Sequence, residues 1–398
     1  MESLYEFQNN LLAHTPRSFK RYLYNRIDWG QRMIGIKGLR GAGKTTLMLQ
    51  YVLNSQTGTK NMLYVTADHP WFYTHSLFEL ADYFYKYGGK TLLIDEVHKY
   101  AGWSNELKLI YDGFPDLQVI FTASSALEIY RGEADLSRRV QTWTLHGLSF
   151  REFLWLNNTY RSNAHNLKDV LHNHEEVARE ITNKTKILAS FKAYLKKGYL
   201  PFFIHDPQEI YLDKILRTIN TTIEYDLSST EGYSAGNIVQ IKKLLGVIAE
   251  SAPFTPNISA LARKMQLGRD TINYYLLAMD RAGLLHLVHK AGKGVATLQK
   301  PDKIFMGNTN LSFAFKEHPD SGALRETFFY NQLAAAGHRI VLPEKGDFLV
   351  DDSFLFEIGG KNKSGQQLVD VANSFIAADE IEAGFRNKVP LWLFGFLY

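Results

Sequence analysis

Gly38-Leu39-Arg40-Gly41-Ala42-Gly43-Lys44-Thr45 is the stretch whose reading decides the fold, because it completes the pattern G-x-x-x-x-G-K-S/T between an apolar run and a helical pattern. Met33 to Ile36 suits a short buried strand, and Thr46 to Leu53 combines good helix formers with apolar spacing. Strand, loop and helix in that order are the context a phosphate-binding loop needs. Gly38, Gly41 and Gly43 let backbone N–H groups curl around phosphate oxygens, while Lys44 can reach the outer phosphates and Thr45 can offer a hydroxyl to Mg2+. Leu39, Arg40, Ala42 and Thr46 count with them as nucleotide-contacting positions. The implied ligand is a nucleoside triphosphate.

Working outward, Asn61 to Thr66 reads as a second strand and Thr91-Leu-Leu-Ile-Asp95-Glu96 as a third, ending in adjacent carboxylates. Asp95 at a strand's carboxyl end can hold the magnesium shell through water, and Glu96 can polarise an attacking water. Leu117 to Thr122 is a further strand that runs into Ala-Ser-Ser125, so Thr122 and Ser124 are candidate polar sensors of the γ-phosphate. Arg138 and Arg139, just before the strand-like Val140 to Leu145, are candidates for the positive charge that phosphoryl transfer recruits, from this subunit or a neighbour. His98 has no second histidine at ligand spacing and reads as a polar residue near a helix cap. Strands alternating with helices predict an α/β fold, a parallel sheet covered by helices with nucleotide at the strands' carboxyl ends.

Composition sets the outer limits. The chain has 398 residues, so about 100–200 residues per domain predicts two to four domains. Hydrophobic residues make up 45% and charged residues 22%, which is globular and not disordered. A net charge of +4 is too small to argue for nucleic acid by itself. The absence of cysteine excludes disulfides, thiolate metal sites and cysteine nucleophiles. The sequence Met1 to Phe7 lacks the basic and apolar regions of a secretion signal, and apolar runs such as Pro390 to Tyr398 fall far short of the ~20 residues that span a bilayer. A cytoplasmic protein without membrane contact is the expectation.

Four domains are expected: the ATPase-like part over 1–147, a helical connector over 148–235, a winged helix-turn-helix over 236–303 and a small α/β domain over 304–398. Ser149 followed by Glu152 is a capping box that opens the connector. His172 and His174 are two apart in a polar segment and make no metal pair. Ile258 to Met265, a turn at Gln266-Leu-Gly268, and Arg269 to Asp280 form a helix-turn-helix pattern, with Leu284 to His289 as a strand and Ala291 to Gly294 as a wing. Residues 256–303 carry eight Lys or Arg and three Asp or Glu, a local balance of +5 that exceeds the whole chain's. Arg269, Thr271 and Asn273 would face bases, and Lys290 and Lys293 phosphates, if the module meets DNA; a packing or protein-interaction role is the competing reading.

Near the C-terminus, a helix carrying Glu326 precedes apolar runs ending or starting in acids. Asp347, Glu357 and Lys361 are laid out as in a magnesium nuclease, although an acid-x-lysine spacing would need lysine at position 359, which is Gly359. Gly38 to Thr45, Leu93 to His98, Thr122 to Ala126, Leu148 to Phe153 and Asp347 to Lys361 together resemble a prokaryotic AAA-type ATPase family that carries a winged helix and a C-terminal nuclease-like domain of unknown function. The resemblance implies ATP bound through Lys44 and Thr45, magnesium and hydrolysis served by Asp95 and Glu96, and a restriction-endonuclease-like fold for the last third. The expected activity is a magnesium-dependent ATPase whose nucleotide state positions the later domains. An ATP-switched DNA-binding regulator and a nuclease are the alternatives. A homo-oligomer or a protein partner is the further expectation, since an arginine acting in trans requires one.

Overall fold

The computed structural model describes residues 1–55, 58, 61–123, 136, 138–227, 233–291, 300–368 and 371–398. The chain forms two compact units, Met1–His146 with Tyr225–Gly232, and Gly147–Glu224 with Tyr233–Tyr398.

The first unit is built on β1 (Met33–Lys37), β2 (Met62–Thr66), β3 (Thr91–Asp95), β4 (Gln118–Ala123) and β5 (Gln141–Thr144). They pair in the order β2-β3-β4-β1-β5, all parallel. Strands buried on both faces read as continuous apolar runs, and Leu92, Leu93 and Ile94 are fully buried in sequence. Helices α1 (Glu2–His14), α2 (Lys44–Asn54), α3 (Leu77–Lys86) and α4 (Trp103–Gly113) belong to this unit. Helix α3 starts at a capping box of Ser76 and Glu79 and turns Leu77, Leu80, Ala81 and Phe84 inward. Trp103, Leu107 and Ile110 of α4 join the same core cluster. From β1 the chain steps across to the edge strand β2 and then returns through β3 and β4 to β5 on the far side of β1, so the connections leaving β1 and β4 run in opposite directions. The carboxyl ends of adjacent strands whose connections diverge in this way are where open α/β sheets bind ligands.

In the second unit α9 (Ala235–Ser251), α10 (Ile258–Met265) and α11 (Arg269–Arg281) are followed by the antiparallel pair β6 (Leu285–Val288) and β7 (Lys303–Met306). Before them come α5 (Phe150–Leu156), α6 (Leu167–Thr182), α7 (Ile187–Lys196) and α8 (Gln208–Thr221). After them, α12 (Thr309–Phe315) and α13 (Ser321–Ala336) precede a second five-stranded sheet ordered β12-β11-β10-β9-β8. In that sheet β10 (Phe354–Gly359), β11 (Ser374–Ala378) and β12 (Lys388–Pro390) run parallel, while β9 (Phe348–Val350) is antiparallel to both β10 and β8 (Ile340–Val341). A fully buried Asn310 ties early and late parts of this unit together. Its amide oxygen accepts from the N–H groups of Gly198 and Tyr199 and from the Tyr211 hydroxyl, and its NH2 donates to the carbonyls of Tyr194 and Leu195. A buried amide so completely satisfied fixes packing that apolar contacts alone leave loose.

No helix among the described residues is long and apolar enough to cross a membrane.

Candidate nucleotide site

The phosphate loop depends on two glycines for different reasons. A Cβ at Gly38 would lie 2.2 Å from the Leu145 carbonyl oxygen, so only glycine lets β5 pass this close. Gly43, with φ 97° and ψ 25°, caps α2 in the left-handed region that other residues enter at a cost. The loop is braced from behind by Arg21, which is buried and donates to the carbonyls of Ala42 and His146.

Lys44 begins α2 and is 6% exposed, with Nζ donating to the Gly38 and Leu39 carbonyls at 2.7 and 2.9 Å. Burial pushes its ammonium down to about 8, against the opposing pull of Asp95, Glu96 and Asp226. Asp95, at the end of β3, is the hub. Its Oδ2 accepts from the Thr45 hydroxyl at 2.5 Å and the Tyr64 hydroxyl at 2.8 Å, and its Oδ1 accepts from the Thr122 hydroxyl. Thr122 at the end of β4 also accepts from the Glu96 N–H at 3.0 Å. Glu96 sits at φ 50° and ψ 43°, a left-handed conformation that costs a non-glycine residue about 1–3 kcal/mol. Its carboxylate pairs with Lys99 and lies 3.8 Å from Arg40 Nη1. His98 is pushed down to about 3 by burial and then by the cations Arg40, Lys44 and Lys99, so it is neutral, and among the described residues it belongs to no group of three or more side chains that could hold a metal ion.

Sequence reading passed over four residues here. Tyr64 was legible only as an apolar strand residue, yet its hydroxyl reaches the hub. Arg21, Lys99 and Asp226 carry no motif. Asp226 arrives from 186 positions away: Arg40 Nη2 donates to its Oδ1 at 2.9 Å and Nε to its Oδ2 at 3.4 Å.

Hard oxygen donors suit Mg2+, which keeps much of its water and is held by one or two protein groups together with substrate phosphates. Thr45 and Asp95 are such a pair, and among the described residues no set of three or more acidic or histidine ligands forms a cage of its own. When bound, the ion would neutralise phosphate charge.

The arginine candidates separate. Arg139 is engaged with Asp112, Nε to Oδ1 and Nη2 to Oδ2, both at 3.0 Å, whereas Arg138 is exposed. Ser124 lies outside the described residues, as does Lys293. On α11, Arg269 is exposed and Thr271 half-buried, but Asn273 turns its amide oxygen inward, where it has no hydrogen-bond partner among the described residues. Asn273 is half-buried like Thr271, with that amide oxygen covered, and Tyr274 beside it is 41% exposed. Lys290 is bound through its backbone N–H to Asp302.

In the second sheet, the Asp347 N–H donates to the Phe356 carbonyl, and Asp347 Oδ2 accepts from the Ile358 N–H at 2.7 Å. The β9–β10 register extended by one residue sets Asp347 opposite Glu357. Glu357 is 1% exposed, and neither carboxylate oxygen has a hydrogen-bond partner among the described residues. Its cation is Lys363, with Nζ 3.4 Å from Oε2, and not the exposed Lys361. The reason is steric. A Cβ at Gly359 would lie 2.8–2.9 Å from the Lys363 stem, so the missing side chain at 359 leaves the path by which Lys363 crosses the strand. Glu326 on α13 pairs with Lys303, and its carboxyl is raised by burial with Asp347 adding like charge.

Residues 30–154, which contain the P-loop sheet, match the family described as an AAA domain. Among solved structures, the chain is similar to a Walker-type ATPase of Pyrococcus abyssi at 12% identity, covering 77% of this chain and 99% of that one with a TM-score of 0.45. It is also similar to Thermotoga maritima RuvB at 17% identity, covering 72% and 89% with a TM-score of 0.29. A third is AMPPCP-bound DnaA from Aquifex aeolicus at 14% identity, covering 70% and 87% with a TM-score of 0.28. No curated protein matches the chain.

Proposed function

We propose that this chain is a magnesium-dependent ATPase whose nucleotide state repositions the helix-turn-helix and C-terminal sheet that follow. The observation that carries the reading is the hub at Asp95, with Thr45 on one oxygen and Thr122 on the other, and Glu96 one residue beyond. In this reading Lys44 leaves the Gly38 and Leu39 carbonyls for phosphate oxygens. The Thr45 hydroxyl and Asp95 hold Mg2+, whose charge offsets that of the phosphates. Glu96 orients water, and Thr122 keeps Asp95 in place. Arg138, which is exposed, is the better placed of the two arginines to reach a neighbouring subunit's nucleotide. The winged-helix reading of α9–α11 with β6 and β7 rests on their order and on the exposed Arg263, Lys264 and Arg269. These would meet DNA phosphates.

The test is ATP turnover by the full chain with magnesium, with and without duplex DNA, single-stranded DNA and RNA, while the same tubes are examined for cleavage. Turnover stimulated by one of these without cutting supports the reading. No turnover under any condition sinks it and leaves the ATP-switched regulator.

A second reading has one specific observation in its favour. Glu357 is a buried carboxylate opposite Asp347 whose oxygens accept no hydrogen bond among the described residues, and the two carboxylates are oxygen ligands suited to a divalent cation of the kind nucleases use, with Lys363 beside them. Cleavage with magnesium or manganese that Lys363→Met abolishes and Lys361→Met leaves intact would support it.

A further inference from the structure

Arg40 is the one cation within the phosphate loop besides Lys44, and its guanidinium is committed to carboxylates. One edge holds Asp226 at 2.9 and 3.4 Å, and Nη1 lies 3.8 Å from Glu96. Asp226 is 2% exposed. A buried carboxylate survives only when paired, and burial raises the Asp226 carboxyl while Arg40 and then Lys44 hold it down. The charged groups acting on Asp226, which are Arg40, Lys44 and Glu96, are those of the phosphate site. A nucleoside triphosphate set against Lys44 brings several negative charges to these same cations. Asp226 and the phosphates compete for one field, and the guanidinium's bidentate geometry suits either.

The residue's position in the chain gives the competition a consequence. Asp226 lies in a π-helical turn, Thr222–Leu227, which directly continues α8. Such turns are rare and recur at functional sites. The same turn carries Glu224, paired with Lys242 inside the second unit, while Asp226 is paired with Arg40 inside the first. The boundary between the two units falls between these acids, after Glu224.

We propose that Asp226 is a latch on the nucleotide site: it holds Arg40 in ion pair, and an entering nucleoside triphosphate takes Arg40 from it and frees the turn Thr222–Leu227 from the phosphate loop. This rests on the ATPase reading and adds to it the element through which the nucleotide is sensed outside the loop. Asp226 is a positioning residue acting through Arg40. A latch lowers apparent affinity by the fraction of molecules in which it is closed, so removing it strengthens binding. A purely structural ion pair does the opposite, because breaking it loosens the loop.

The test uses the full chain. ATP with Mg2+ is titrated calorimetrically into the wild type, Asp226→Asn and Lys44→Ala, and amide exchange of a peptide covering 222–227 is followed in the wild type with and without ATP. Asp226→Asn is expected to lower Kd about tenfold, and ATP to speed exchange across 222–227. Equal or weaker binding by a folded Asp226→Asn variant overturns the latch, as does exchange at 222–227 that saturating ATP leaves unchanged. The exchange measurement needs no variant, so it decides the matter even if Asp226→Asn does not fold. If neither wild type nor Asp226→Asn binds ATP, the ATPase reading falls and the latch with it. If both bind ATP equally and hydrolyse it, only the latch falls.

Discussion

Lys44 and Glu96 carry opposite burdens at the nucleotide site. Lys44 is held near pH 8 by burial, and a triphosphate would restore its preference for the proton. The sign follows directly. The bound form has the higher pKa, so affinity is full below about 8 and falls as pH rises through and above that value. ATP binding at pH 8.5 should therefore take up protons, visible as a dependence of the calorimetric heat on buffer ionisation enthalpy. If the heat is independent of the buffer, Lys44 is not the group titrating. Glu96 is strained and partly exposed, positioned by its own backbone and by Arg40 and Lys99. Glu96→Gln should keep nucleotide binding and lose turnover by about 10²–10⁴-fold, the usual contribution of a general base. Normal turnover in that variant removes Glu96 from the mechanism. Both residues were legible in the sequence because motif spacing fixes them locally. Tyr64 and Arg21 were not, since a tyrosine in a strand and an arginine before a helix have no spacing that announces a partner.

Strands and helices show the same division. The apolar runs at 33–36, 61–66, 91–96 and 117–122 announced the parallel sheet within a residue or two, because strands buried on both faces have no polar alternation to hide them. Glycines separate what looks equal in sequence. Gly38→Ala would drive a Cβ to 2.2 Å from the Leu145 carbonyl, whose own N–H bonds to Lys37, and should destabilise the chain by about 2 kcal/mol or more and abolish ATP binding. Gly246 in α9 has open space around its Cβ position. Gly246→Ala should instead stabilise by about 0.5–1 kcal/mol. Thermal unfolding of the two variants checks both signs. The C-terminal lysine shows where pattern reading stops: Lys361 was the lysine near Glu357 in sequence although acid-x-lysine spacing would need one at position 359, while the bare backbone of Gly359 admitted Lys363 from the following loop.

For the whole molecule, ligand linkage gives the broadest expectation. ATP with magnesium at 100 times Kd should add about 2.7 kcal/mol to the stability of the ATPase unit, and Lys44→Ala should remove that gain. An unfolding midpoint that rises with ATP equally in both proteins places the binding elsewhere. The same unfolding measurement also reports whether the second unit unfolds with the first or apart from it.

The sequence by itself determined the phosphate loop, the carboxylate pair at the end of β3, the order of alternating strands and helices and the two consecutive helices Ile258–Met265 and Arg269–Arg281. All of these are written in residues close along the chain, where periodicity and spacing act directly. Only the tertiary structure decided that Asp226 meets Arg40, that Tyr64 meets Asp95, that Asn310 gathers backbone groups from 194–199, and that Lys363 stands at Glu357. Each joins groups whose encounter depends on how the chain folds back, and a polar side chain shows nothing in sequence of the partner that makes its burial tolerable.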